Sequence, residues 1–256
     1  MFDLKGKVAL VAGGAGYLGT PVCESLIGQG AAVMIADMNI ERAEMLAESL
    51  RNAGGTAGAV GLDGSDEESL INSVQHTYKT FGRLDSCIVM TYHAIGSTVD
   101  RLTAPEFDAV NHVNLTGTFV LVRAAADAME KGGSIVLFTS MYGQVSPDPR
   151  IYLPPMTANP IEYGVGKAGV IQMTKYLAVA WGPRGIRVNA ISPGPFPNPD
   201  AQINSADFVQ RLSEKVPLGR VGQSREIAGP VVFLASDESS FINGTVINVD
   251  GGWMAW

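Results

Sequence analysis

The stretch Lys7–Gly19, KVALVAGGAGYLG, decides the architecture. Its first half, Lys7 to Ala12, is a short apolar run with no charge after Lys7, the pattern of a strand buried on both faces. Gly13, Gly14, Gly16 and Gly19 follow at once. Glycines at such a junction let the backbone turn tightly and approach a ligand closely. From Tyr17 to Gln29 the spacing becomes helical, and Gly28 and Gly30 close the helix. Strand, glycine loop and helix in this order open a βαβ unit. The helix N-terminus then offers free N–H groups and the positive end of its dipole to a pyrophosphate. Gly13, Gly16, Tyr17, Leu18 and Gly19 are therefore expected to line the phosphates of a dinucleotide.

Outward from this stretch the alternation repeats. Ala32–Ala36, Thr56–Leu62, Leu84–Met90, Ser134–Thr139, Ile186–Ile191 and Thr245–Val249 read as strands. Ile40–Arg51, Glu67–Lys79, Pro105–Met129, Glu162–Trp181 and Ser224–Ala235 read as helices. Pro105 stands in a first turn, where its missing N–H does no harm, and Ser224 is placed to cap. Apolar strands alternating with helices predict a parallel sheet covered on both faces, with right-handed crossovers. The expected fold is α/β, a Rossmann-type doubly wound sheet of about seven strands, in a single domain over residues 1–256. Its ligand should lie beyond the carboxyl ends of the strands.

Composition narrows the partners. The net charge is −7, from 18 basic and 25 acidic residues with no Lys/Arg cluster, which argues against nucleic acid or an anionic membrane. The mean hydropathy of +0.15 is spread over many short runs, far below the ~20 residues of a membrane span. The opening MFDLKGKVAL lacks the apolar core of a signal peptide, so a cytoplasmic protein beginning here is expected. Cys23 and Cys87 lie in apolar stretches and read as reduced core residues. His76, His93 and His112 share no metal-ligand spacing with them, so no metal is expected.

Asp37 ends the second strand, 18 residues after Gly19. A carboxylate there accepts the adenosine ribose hydroxyls and repels a 2′-phosphate. Met38 beside it and Ala15 in the glycine loop supply no cation, so the cofactor is expected to be NAD. The other role open to Asp37 is capping the following helix.

The proton chemistry is expected from Tyr163 and Lys167, in YGVGK, which share one helical face. A free phenol, with pKa ~10, is a poor base at neutral pH. An ammonium at ~4 Å would favour the phenolate by ~4 kcal/mol at an effective dielectric of ~20. Ser140, at the end of the fifth strand, is placed to hydrogen-bond the substrate oxygen. Asn114, a poor helix former amid apolar positions, is placed to bind a backbone carbonyl or a water on a path to Lys167.

These features together resemble the short-chain dehydrogenase/reductase family in its compact form, over essentially the whole chain. The resemblance implies a catalytic set of Asn114, Ser140, Tyr163 and Lys167. It implies adenine-pocket contacts at Asp63 and Gly64 in VGLDGSD and at Thr91. It implies nicotinamide-side contacts at Pro193, Gly194 and Phe196, next to Ser192. The ending INGTVINVDGG resembles the family's last strand, which implies a homotetramer, or a homodimer. Several positions depart from the family pattern. Ala12 and Tyr17 replace a Thr and a Gly of its glycine motif. Val89-Met90-Thr91-Tyr92 replaces Asn-Asn-Ala-Gly, and Asn198 stands where a Thr is usual. Ser140 and Tyr163 are 23 residues apart, more than the compact family's usual spacing. The additional residues lie in a proline-rich segment at about 142–161. Tyr142, Arg150, Tyr152 and Asn159, with Ser140, are the expected substrate contacts.

The expected activity is hydride transfer between NAD and a secondary alcohol or ketone, in a sugar, polyol or related small polar substrate. Two alternatives stay open: a non-catalytic NAD-binding protein, and an epimerase or dehydratase with tightly held NAD.

Overall fold

The computed structural model describes residues 2–256. Its strands are β1 (Val8–Ala12), β2 (Ala32–Asp37), β3 (Thr56–Gly61), β4 (Ser86–Val89), β5 (Gly133–Phe138), β6 (Ile186–Pro193) and β7 (Val246–Val249). Its helices are α1 (Gly19–Gly28), α2 (Ile40–Asn52), α3 (Glu67–Phe81), α4 (Ala104–Asn111), α5 (Thr118–Ala128), α6 (Ile161–Trp181), α7 (Pro199–Asn204), α8 (Ala206–Lys215) and α9 (Ala228–Ala235). The seven strands form one sheet in the order β3-β2-β1-β4-β5-β6-β7, every pairing parallel.

The two-sided apolar character of the strands explains the layers. In β1, Leu10 and Ala12 pack with Leu121 and Ala125 of α5 and Val170 of α6. Ala9 and Val11 pack with Val22 of α1, Ala43 of α2 and Val231 of α9 on the other face. Cys87 belongs to the first core and Cys23 to the second. Both are free thiols, and burial raises both pKa values, that of Cys87 to about 12. Among the described residues, no helix is long and apolar enough to cross a membrane.

The order of strands reverses at β1, which lies between β2 and β4. Ala12 is in register with Ala36 on one side and Val89 on the other. Gly13, Asp37 and Met90 therefore emerge together at one rim, where an open α/β sheet binds its ligand.

Three elements differ from the expectation. The helix expected over Pro105–Met129 is interrupted by a π-helical turn, His112–Gly117. Such wide turns concentrate at functional sites, and this one carries Asn114. At the helix expected from Ser224, Gln223 makes the cap, in a reciprocal box with Glu226, and the first turn is 3₁₀. A side chain that spans the turn outcompetes the serine. Finally, α7 and α8 form where no element was assigned. The apolar side chains of α8, Phe208 and Leu212, are covered mainly by segments distant in sequence. They join a third cluster with Met141, Tyr142, Ile151, Tyr152, Tyr163, Val216 and Trp253.

Candidate active site

The glycine loop is shaped for close approach. Gly13 has φ +79°, and a Cβ there would lie 3.1 Å from the Met90 carbonyl carbon and 3.2 Å from the Thr91 nitrogen. A Cβ at Gly19 would overlap the Gly13 and Gly14 carbonyls. No side chain caps α1, so its first N–H groups are not consumed by a neighbouring side chain. Asp37 Oδ2 accepts from the Ala15 N–H at 3.0 Å, tying the loop to the end of β2. The cap of α2 is Asn39, which accepts from the Arg42 N–H, so Asp37 does not serve as that cap. Met38 stands 75% exposed beside it. This cradle, with no room for a Cβ at Gly13 or Gly19 and opening onto an uncapped helix, fits a dinucleotide.

The remaining expected cofactor positions lie along the same rim. Asp63 accepts from both the N–H and the hydroxyl of Ser65, at 2.8 and 2.7 Å, and these bonds hold its carboxyl below the usual range. Gly64 is buried against Val113 of the π turn. Thr91, half-buried, follows Met90 beside Gly13. Past β6, the Gly194 N–H donates to Val249 O at 3.0 Å, and a Cβ there would come within 2.6 Å of Asp250 Cα. Pro193 ends β6, and the Phe196 ring covers Gly222.

Ser140 follows β5 and is buried; its Oγ accepts from the Tyr142 N–H at 3.1 Å. On α6, Lys167 Nζ lies 5.7 Å from the Tyr163 ring centroid and donates to Phe138 O at 2.8 Å. Burial lowers the Lys167 pKa to about 8. The Tyr163 phenol is raised by burial, and a hydrogen bond with Ser140 acts the other way. This corrects the expectation of a phenol depressed by an ammonium at ~4 Å. The lysine ammonium is engaged by a backbone carbonyl, and desolvation dominates both groups.

Gly166, within YGVGK, has its own steric reason. A Cβ there would meet Asn114 Cβ at 3.1 Å, so α6 and the π turn touch. Asn114, 1% exposed, receives the His93 N–H at 2.8 Å and donates to His93 O at 2.9 Å. Its carboxamide thus engages a backbone carbonyl, in the crossing that follows β4.

The inserted segment is docked on α8. Tyr142 Oη and Tyr152 Oη are 2.6 Å apart. Burial, first, and then the Tyr152 phenol raise the Tyr142 phenol. The Tyr152 ring packs on Phe208 at 5.4 Å. Asp148 receives Lys215 Nζ at 2.8 Å, Arg211 Nε donates to Ile151 O at 2.8 Å, and Lys215 lies 5.1 Å over the Trp253 ring. Of the expected substrate contacts, Ser140, Tyr142 and Tyr152 gather around Tyr163. Asn159 closes the segment with a buried Oδ1 that has no hydrogen-bond partner among the described residues. Arg150 is not part of this group. Its side chain is 88% exposed and forked onto Asp148, two residues before it.

Sequence reasoning missed three contributors. Tyr92 stands edge-on to Tyr163, with centroids 6.2 Å apart. Gln144 Nε2 bridges Ser192 Oγ and Asn248 Oδ1, each at 2.8 Å. Glu162 is fully buried in the first turn of α6. A charged residue one place before Tyr163 was the only available signal for the last.

Comparison with known proteins agrees with this geometry. Residues 14–254 match the family model described as enoyl-(acyl carrier protein) reductase. The chain is 32% identical over 251 residues to a 3-oxoacyl-[acyl-carrier-protein] reductase of Thermotoga maritima, covering 97% of this chain and 98% of that one. It is 32% identical over 265 residues to a D-threitol dehydrogenase of Mycolicibacterium smegmatis, covering 98% and 94%. A gluconate 5-dehydrogenase from Burkholderia cenocepacia, crystallised with NADP and tartrate, matches with a TM-score of 0.90 at 28% identity, over 100% of this chain and 98% of that one. The chain belongs to the short-chain dehydrogenase/reductase family. It is an oxidoreductase of alcohols and ketones that works with a nicotinamide cofactor.

Proposed function

We propose that this protein oxidises a secondary alcohol of a small polyhydroxylated substrate, reversibly, with NAD. The observation that carries the reading is the convergence of Ser140, Tyr163 and Lys167 beside the glycine cradle, with the Tyr142–Tyr152 phenol pair packed against them. A bound nicotinamide supplies the hydride acceptor. Ser140 Oγ donates to the substrate oxygen and orients it. Tyr163 Oη takes the hydroxyl proton in oxidation and returns it in reduction, a general acid–base role. Lys167 keeps positive charge beside the phenol, and Asn114 fixes the chain that follows β4. The phenol pair can both donate and accept, which suits a second substrate hydroxyl.

Asp37 supports NAD over NADP, because a carboxylate at the end of β2 would repel a 2′-phosphate and Met38 brings no compensating cation. The relative holding NADP makes this the point to test first. Initial rates with NAD and NADP over a panel of polyols, sugar acids and simple secondary alcohols decide it. Equal use of both cofactors overturns the NAD assignment, and indifference to a second hydroxyl overturns the substrate class. The edge strand β7 and the exposed Tyr176 and Val179 of α6, 70% and 81% exposed, support self-association as a tetramer.

A further inference from the structure

The crossing from β4 toward α4 runs through Tyr92–Thr98 without regular secondary structure. Two buried side chains tether it. Asn114 holds His93, and Glu162 Oε1 accepts from the N–H groups of Ile95 and Gly96 at 3.3 and 3.4 Å. Glu162 is 0% exposed, and its Oε2 has no hydrogen-bond partner among the described residues. A buried carboxylate is costly unless something offsets it. Here the offset is its place in the first turn of α6, at the positive end of the helix dipole, together with the two loop amides. Glu162 also lies four residues before Gly166, hence on the helix face that touches Asn111 and Asn114. Asn111 Oδ1 is likewise buried and unpartnered there. One face of α6 therefore carries one anchor of the crossing, Glu162, and packs against the π turn that carries the other, Asn114. The crossing in turn sets the Tyr92 ring edge-on against Tyr163.

We propose that Glu162 is a positioning residue: by gripping Ile95 and Gly96 it holds the Tyr92–Gly96 segment in place as a wall of the substrate cleft. The inference rests on the assignment of Tyr163 as the proton-transfer group. It predicts that substrate binding, not cofactor binding or the chemical step, depends on Glu162. The carboxylate has one acceptor role that an amide can take over, so glutamine substitutes for it and shorter side chains do not.

The test compares Glu162→Ala, Glu162→Asp and Glu162→Gln with wild type, by amide hydrogen exchange and by kinetics with NAD and the best alcohol of the panel. Glu162→Ala should speed exchange in residues 92–97 about tenfold, the order expected for losing bonds to a charged acceptor, with β1 and β5 unchanged. Its KM for the alcohol should rise about tenfold, with kcat and the KM for NAD within about twofold of wild type. Glu162→Asp, one methylene too short to reach both amides, should behave in the same way and stands in if the alanine variant does not fold. Glu162→Gln should restore both readouts. Unchanged exchange in residues 92–97 overturns the proposal, and so does a loss confined to kcat. If wild type turns over no alcohol at all, the failure is that of the proposed function, and the exchange experiment still decides whether Glu162 holds the segment.

Discussion

The cofactor side and the substrate side of the cleft are built by different means. On the cofactor side the shaping contacts are made mainly by backbone atoms at the ends of adjacent strands. The Gly13 N–H donates to Ala36 O at 2.7 Å, the Gly13 position faces the Met90 backbone, and the Ala15 N–H reaches the Asp37 carboxylate across 22 residues. On the substrate side they are side-chain contacts between distant segments. Asp148 meets Lys215 across 67 residues, Arg211 meets Ile151 across 60, and Trp253 closes over Lys215. A backbone-built cradle is insensitive to side-chain identity except where a Cβ cannot fit. A wall built from side chains can be redrawn without disturbing the cradle, so the two sides should respond separately to mutation.

The largest effect belongs to the residue where the sides meet. Tyr163→Phe should lower kcat by roughly 10²–10⁴-fold while leaving NADH binding, followed by fluorescence titration, near wild type. Retention of half the wild-type rate would remove Tyr163 from its role.

The next concerns Lys167, whose ammonium is buried. Between about pH 8 and 10.5 the unfolded chain holds this proton and the folded protein does not, so its contribution to stability rises with pH across that window. Below about pH 8 the full cost of burying the charge is present. Subtracting the denaturation profile of Lys167→Met from that of wild type should isolate this rise, on the order of 3 kcal/mol. A flat difference profile would show that Lys167 is not desolvated.

Each side can then be broken alone. Asp37→Ala should raise the KM for NAD about tenfold and admit NADP, with the substrate KM little changed. Lys215→Met should raise the substrate KM by about threefold through the loosened insertion, with the KM for NAD unchanged. If either variant moves both constants together, the two sides are coupled and the comparison fails.

How legible each part was follows from the same contrast. The glycine loop, Asp37 and the Tyr163–Lys167 pair stand in short segments whose spacing carries their places, after β1, at the end of β2 and on α6. The phenol's environment was not legible. Four residues along a helix bring Lys167 to the correct face, but the burial that raises Tyr163 and lowers Lys167 comes from β5, the insertion and α8. Arg150 shows the limit most plainly. Its charge suggested a substrate contact, yet Asp148, two residues away, takes it.

The sequence by itself determined the parallel sheet, the cradle at the end of β1 and the candidate proton-transfer pair. These depend on period, glycine placement and helical spacing, all of which are local. Only the tertiary structure decided that Pro105–Met129 widens into a π turn at Asn114, that residues 199–215 form helices and that the insertion docks on them. It also decided that Glu162 is buried behind Tyr163. Each of these depends on which distant side chains arrive to bury a surface or accept a hydrogen bond, and no local pattern encodes that arrival.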